Sequence, residues 1–354
     1  MGKRKRLSPD SFDLPVARLR AGFYTDKYFL RTRDILCGDD INPIVTMQVF
    51  CRSAALLAGM DEAIAILQAA VDAWTDLKVM ALYDGDAIDS WETAMTIEGP
   101  LTAFVHVETL ILGVLARRTR IATNTHEAVV AANGKEVMYF AARHDHFLNQ
   151  PGDGYAVRIA GATDVSTDAQ GLYWDGLGAG TIPHALIAAY AGDTLLATQK
   201  FAEHIDPSVP VIALVDFDND CVNTSLSVAR VLGDRLAGVR LDTSRSLIDK
   251  SLQNLGDDSS LHGVSAKLVH MVRDALDGEG YDHVRIVVSG GFTPERIRAF
   301  ESQRVPCDGY GVGSSILANR GDFDFTADVV MVDGKPCAKI GRSFKPNKRL
   351  GLVT

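Results

Sequence analysis

The segment HVRIVVSGGFTPERIRAFES, residues 283–302, decides the fold. Its first half is a near-continuous apolar run, its middle is Ser289-Gly290-Gly291, and its second half has helical period, which reads as strand, tight turn and helix. Outward from it the same texture repeats. CDGYGVG (307–313) runs into SSIL, while VPVIALVDF (209–217) and GVRLD (238–242) are strands separated by NTSLSVARVLGDRL and SSLHGVSAKLVHMVRDALDG, both of helical period. Strands that are apolar on both faces are covered on both faces, so these are parallel βα units.

The first part of the chain differs. Between residues 41 and 76, MQVFCRSAALLAG and MDEAIAILQAAVDAW read as two helices separated at Gly59. VMALYDGDAIDSWETAMTIEGP then suggests short strands ending at Gly99-Pro100, and LTAFVHVETLILGVLARR a central packing helix over about 101–119. After residue 325 the sequence suggests two strands around Asp333-Gly334 and a basic tail, returning to the first domain. The implied division is 1–121, 122–325 and 326–354.

Composition narrows the function. The 354 residues are 47% hydrophobic and 23% charged, which excludes collagen, low-complexity disorder and a disulfide miniprotein. A net charge of -9 excludes a diffuse nucleic-acid-binding surface, so any bound anion must meet a local pocket. The five cysteines form no CxxC pair, which excludes a zinc knuckle and a secreted disulfide framework. Residues 3–6, Lys-Arg-Lys-Arg, lead into SPDSFDLP and read as a frayed basic tail, not a signal peptide. No apolar stretch reaches the ~18 residues of a membrane span. A cytoplasmic protein without membrane or nucleic-acid partners is expected.

Two glycine-bearing strand ends carry the strongest chemical signal: Ser289-Gly290-Gly291 and Gly311-Val312-Gly313-Ser314. Glycine lets backbone N–H groups approach a phosphate, and in βα barrels the loops after the last strands often hold one. Asp216 and Asp242 at strand termini suit sugar hydroxyls or a metal, and Arg240 suits a carboxylate or phosphate. Asp218 and Asp220 fit turn formation equally well. His144 and His146 form an HxH pair without a third ligand at a suitable spacing, and read as a polar loop. His184, opening an apolar helix after Gly-Thr-Ile-Pro, caps or packs.

In this order, TDKYFLRT (25–32), IEGPLTAFVHVETLIL (97–112), YFAARHD (139–145), GTIPHAL (180–186), LVDFDND, VRLDTS (239–244), VVSGGF and GYGVGSSIL resemble the landmarks of the type II phosphoribosyltransferases, above all the nicotinate phosphoribosyltransferases. The resemblance implies an α/β fold: an irregular TIM-like βα barrel with an additional α/β domain built from both ends of the chain. It implies transfer of phosphoribose from phosphoribosyl pyrophosphate (PRPP), with Mg2+, to nicotinate, giving nicotinate mononucleotide and pyrophosphate. It further implies a homodimer with shared sites, in which Phe140 and the other subunit's Tyr28 sandwich the pyridine ring. Arg143 and Arg240 would neutralise carboxylate and leaving group, and Asp216 and Asp242 hold ribose hydroxyls or Mg-pyrophosphate. Thr181 lies in the landmark that carries His184, the residue phosphorylated in ATP-coupled members, so ATP is an optional co-substrate. Thr243-Ser244-Arg245 departs from the Ser-Gly-Asp of many relatives, and the cysteine-rich C-terminal extension is missing, so no structural zinc is expected. Asp164 lies near an acid that marks nicotinamide use. Quinolinate enzymes present a denser basic cluster; here ARRTR (116–120) is the only such run, and it reads as helix surface. An aldolase or isomerase would need a lysine or base at a strand end, and none of the four clear strands ends in lysine. A non-catalytic phosphosugar sensor would not need the leaving-group site.

Overall fold

The computed structural model describes residues 5–354. It contains two six-stranded sheets and a small two-stranded one. The larger antiparallel sheet places Ile44–Cys51 between Thr93–Pro100 and Phe325–Val332, with Lys78–Ala81, Gly351–Leu352 and Lys335–Pro336 further out. The chain's last strands thus complete a sheet begun by its first ones. The second sheet is wholly parallel, in the order Asp164–Val165, Glu136–Tyr139, Gly309–Val312, Arg285–Val288, Leu236–Leu241, Val211–Leu214. It is an open, TIM-like half-barrel wrapped by helices such as Cys221–Leu232, Ala266–Gly278 and Pro294–Ser302.

Each sheet has its own hydrophobic core. One helix belongs to both. The single helix expected over 101–119 is a short turn at Leu101–Phe104, a 3-10 turn, and then a 24-residue helix, Glu108–Ala131. Its first half sends Ile111 and Leu115 into the antiparallel sheet's core, and its second half sends Ile121, Ala122 and Ala128 into the half-barrel's. At its middle, Arg118 bridges Glu62 at 2.9 Å and Asp153 at 2.6 Å, while Arg117 pairs with Asp153 at 2.7 Å and Asp145 at 2.5 Å. The Asp153 carboxylate is 3% exposed, and removing one partner from such a buried pair costs roughly 3–5 kcal/mol. ARRTR is therefore a structural junction and not helix surface.

Two further expectations are corrected. MQVFC is strand, because Val45, Met47, Val49 and Cys51 alternate into one core, it is paired on both edges, and Trp91 with the segment around Arg342–Lys345 covers Gln48 and Phe50 on the other face. The basic tail is not frayed at Arg6: its guanidinium binds Asp61 at 2.8 Å, donates to the carbonyls of Ala81 and Leu82, and lies over the Tyr83 ring. Lys3 and Arg4 lie outside the described residues.

The helix Met60–Ala70 starts at Gly59, which has no side chain to cap it. Asp84 serves instead, accepting from the N–H groups of Met60 at 2.8 Å and Asp61 at 3.2 Å. Burial, with the Asp61 carboxylate adding, raises Asp84 to about 7 from its ordinary 3.8. The folded chain holds this proton up to about pH 7, whereas the unfolded chain loses it near 3.8, so the contribution is complete below 3.8 and is lost as the pH rises to about 7. Asp84→Asn is expected to flatten the stability curve between those limits relative to wild type. Urea unfolding across that range checks it; parallel curves would contradict the assignment.

Candidate active site

The parallel strands end on one rim, and there a cavity of about 590 Å³ opens. Twelve of the fifteen residues expected in the site line it: Phe140, Arg143, Thr181, His184, Arg240, Asp242, Ser289, Gly290, Gly291, Gly311, Gly313 and Ser314. Asp216 stands directly behind, with both carboxylate oxygens 3.2 Å from His184 Nε2. Val312 is fully buried in its strand, its carbonyl accepting from the Phe140 N–H, and does not line the cavity. Tyr28 is 59% exposed on the helix Lys27–Gly38, away from this cavity.

One wall is aromatic and cationic. Phe140 follows the strand Glu136–Tyr139, and the Arg240 guanidinium carbon lies 5.6 Å from its ring centre. The ring has room only because position 311 is glycine: a Cβ there would come 2.4 Å from Phe140 Cε2. Arg240 is partly buried and its Nε has no partner among the described residues. Burial lowers its pKa, Arg143 lowers it further, and Asp242 and Asp216 oppose both. The pair thus offers a flat apolar face beside a cation short of anionic partners.

Between Phe140 and Arg240 along the sheet order, the rim is backbone. Gly290 and Gly291 both have positive φ, 84° and 79°, a conformation that side chains resist. Among the described residues the N–H groups of Gly290, Gly291 and Phe292 have no protein acceptor. Successive free N–H groups in such a turn form a nest for an anion. Ser289 Oγ donates to Asp242 Oδ1 at 2.8 Å and fixes that carboxylate at the rim. Desolvation raises the Asp216 pKa, Asp242 adds to it, and His184 opposes it.

The polar loop reading of His144 and His146 divides. His144 lines the cavity, whereas His146 Nδ1 accepts from the Leu148 N–H and caps a turn. Asp164 does not line the cavity; Ser166, two residues on, does, with its hydroxyl donating to the Tyr139 carbonyl at 2.6 Å. Sequence reasoning missed Ser166, for which no local signal exists. Among the described residues no group of three or more His, Cys, Asp or Glu side chains could hold a metal ion, and no helix is long and apolar enough to cross a membrane.

Residues 26–119 match the N-terminal domain, and residues 121–326 the C-terminal domain, of quinolinate phosphoribosyl transferase. The chain belongs to this family of type II phosphoribosyltransferases. It is 32% identical to the nicotinate-nucleotide pyrophosphorylase from Pyrococcus furiosus, with a TM-score of 0.81 over 100% of this chain and 86% of that one. The human nicotinic acid phosphoribosyltransferase shares the fold, with 16% identity and a TM-score of 0.65 over 88% of this chain and 75% of that one. In sequence, the chain is 27% identical over 264 residues to the nicotinate phosphoribosyltransferase pncB1 of Mycobacterium tuberculosis (strain ATCC 25618 / H37Rv), covering 72% of this chain and 54% of that one. It is 25% identical over 275 residues to the nicotinate phosphoribosyltransferase of Bacillus subtilis (strain 168), covering 76% and 52%. It spans about half the length of these curated relatives. The resemblance first read as nicotinate phosphoribosyltransferase therefore holds at the level of the type II enzymes.

Gly311→Ala is expected to push the Phe140 ring from its place and cost about 1–3 kcal/mol, the usual penalty of overpacking. Urea unfolding and a crystal structure of the variant check this. An unmoved ring at unchanged stability would contradict the close fit.

Proposed function

We propose that the chain transfers phosphoribose from PRPP to the ring nitrogen of a pyridine carboxylate, releasing pyrophosphate. The observation that carries this reading is the presence, in one cavity, of the Phe140–Arg240 wall and the free N–H groups of Gly290 and Gly291. The first suits a flat anionic ring and the second a phosphate. Family membership supports the reaction class.

The choice of acceptor has two supports. The matching family is named for quinolinate, which favours that dicarboxylate over the nicotinate first expected. The curated relatives are nicotinate phosphoribosyltransferases, and the cavity is lined by only two arginines, Arg143 and Arg240, which suits a single carboxylate. Asp164, on which the nicotinamide alternative rests, lies outside the cavity lining.

The pyridine nitrogen is itself the nucleophile, so no strong base is required. As pyrophosphate leaves, positive charge grows on the ribose, and the residues' task is to align ring and sugar and to stabilise the departing anion. Phe140 and Arg240 orient the ring, Asp242 and Asp216 suit the ribose hydroxyls, and Arg143 faces the leaving group. Magnesium enters as Mg–PRPP, and Asp216 and Asp242 at the rim are the carboxylates that would meet it. His184, 45% exposed and held through Nε2 by Asp216, is the group through which ATP would couple. A second copy of the chain completes the site in this reading: the helix Lys27–Gly38 buries none of its residues and exposes Tyr28 and Ile35.

The test is pyrophosphate release by purified protein with Mg–PRPP and quinolinate, nicotinate or nicotinamide, with and without ATP, while following CO2. Quinolinate must lose its 2-carboxylate to give nicotinate mononucleotide, so CO2 marks that acceptor. Release with either acid is expected; silence with all three alongside PRPP binding would favour a phosphosugar sensor. Any ATP stimulation should vanish in His184→Ala. Arg240→Ala should raise the acceptor KM by at least about tenfold, since a charge-assisted contact contributes roughly 1.5–3 kcal/mol. An unchanged KM for both acceptor and PRPP would remove Arg240 from the site.

A further inference from the structure

Behind the Gly290–Gly291 turn sit two guanidinium groups that line none of the 590 Å³ cavity. Arg296, on the helix Pro294–Ser302, donates from Nη1 to the Gly290 carbonyl at 2.9 Å and from Nη2 to the Val264 carbonyl at 2.7 Å. Its guanidinium carbon lies 4.2 Å from the Phe292 ring centre and 5.7 Å from that of Phe300, so it is fixed from several sides. Arg245, in the loop after the strand Leu236–Leu241, donates from Nη2 to the Gly291 carbonyl. Among the described residues the hydrogen bonds of both go to neutral carbonyl oxygens. Burial, with repulsion from Arg245 added, pushes Arg296 down to about 10, the mark of a cation kept without a countercharge.

The geometry has a direct consequence. Every peptide here is trans, so the carbonyl of one residue and the N–H of the next point in opposite directions. A Gly290 carbonyl held by Arg296 turns the Gly291 N–H away from Arg296, and a Gly291 carbonyl held by Arg245 turns the Phe292 N–H away from Arg245. These are two of the three N–H groups without a protein acceptor. A cation on a carbonyl also polarises that peptide and strengthens its N–H as a donor.

We infer that Arg296 and Arg245 are positioning residues for phosphate capture: they hold the outer face of the Gly290–Gly291 turn so that its N–H groups face the cavity, and thereby set affinity for the 5-phosphate of the ribosyl donor. Neither touches the phosphate. The inference rests on the phosphoribosyl reading of this site.

The test titrates ribose 5-phosphate into the full chain by calorimetry, for wild type and for Arg296→Met, Arg296→Lys and Arg245→Met, and measures KM for PRPP and for the pyridine acceptor. Arg296→Met is expected to weaken ribose 5-phosphate about tenfold and raise the PRPP KM in parallel, with the acceptor KM unchanged and Arg296→Lys restoring part of the loss. Arg245→Met, which gives up a single contact on an exposed residue, should act in the same direction and decides the matter if Arg296→Met does not fold. Wild-type protein that fails to bind ribose 5-phosphate would remove the phosphoribosyl reading itself. Wild-type binding left unchanged in folded Arg296→Met and Arg245→Met would overturn this inference alone, as would an equal rise in the acceptor KM.

Discussion

The helix Glu108–Ala131 is the constraint on which the rest depends, because it is one rigid element belonging to two hydrophobic cores. Its arginine pair meets Asp153, Glu62 and Asp145 at the seam between the cores. Charges so poorly solvated are tolerated only when each is paired, so the network fixes the helices Met60–Ala70 and Gln150–Ile159 relative to one another. Asp145 is also the anchor of the loop that carries Arg143 and His144. The junction between the cores and the shape of the cavity rim are thus set by the same four or five side chains.

The half-barrel supplies position and the turns supply chemistry. Parallel strands deliver Phe140, Asp216, Arg240, Asp242 and Ser289 to a common rim within a residue or two of each strand's end. Specific contacts then refine them: Asp216 orients His184, Ser289 holds Asp242, and glycine at 311 leaves space for the Phe140 ring. The cavity lining gathers Arg143 and Arg240 beside Asp242, with Asp216 behind, in a chain whose net charge is -9.

The half-barrel was legible because its buried strands are continuous apolar runs, and four of the six were readable within three residues at each end. The strands Glu136–Tyr139 and Asp164–Val165 were not, and the second, a run of two residues, carries no measurable period. Ile44–Cys51 was misread as helix because its Met and Gln content suits either state, and its strand form comes from partners some 50 and 280 residues away. In the site, glycine and acidic residues at strand ends were informative because turn geometry demands them. Ser166 and Arg296 escaped notice, and Arg245 was noted only as a departure from the Ser-Gly-Asp of relatives, because their partners are backbone carbonyls, which no side-chain pattern encodes.

The central claim is that a phosphate and a pyridine ring share this one cavity, and nicotinate mononucleotide, the product with either acid, contains both. A crystal structure of the protein with that nucleotide tests the claim most directly. The account predicts its phosphate on the N–H groups of Gly291 and Phe292 and its pyridine ring against Phe140 with the carboxylate toward Arg240. A nucleotide bound elsewhere, or reversed in the cavity, would contradict it.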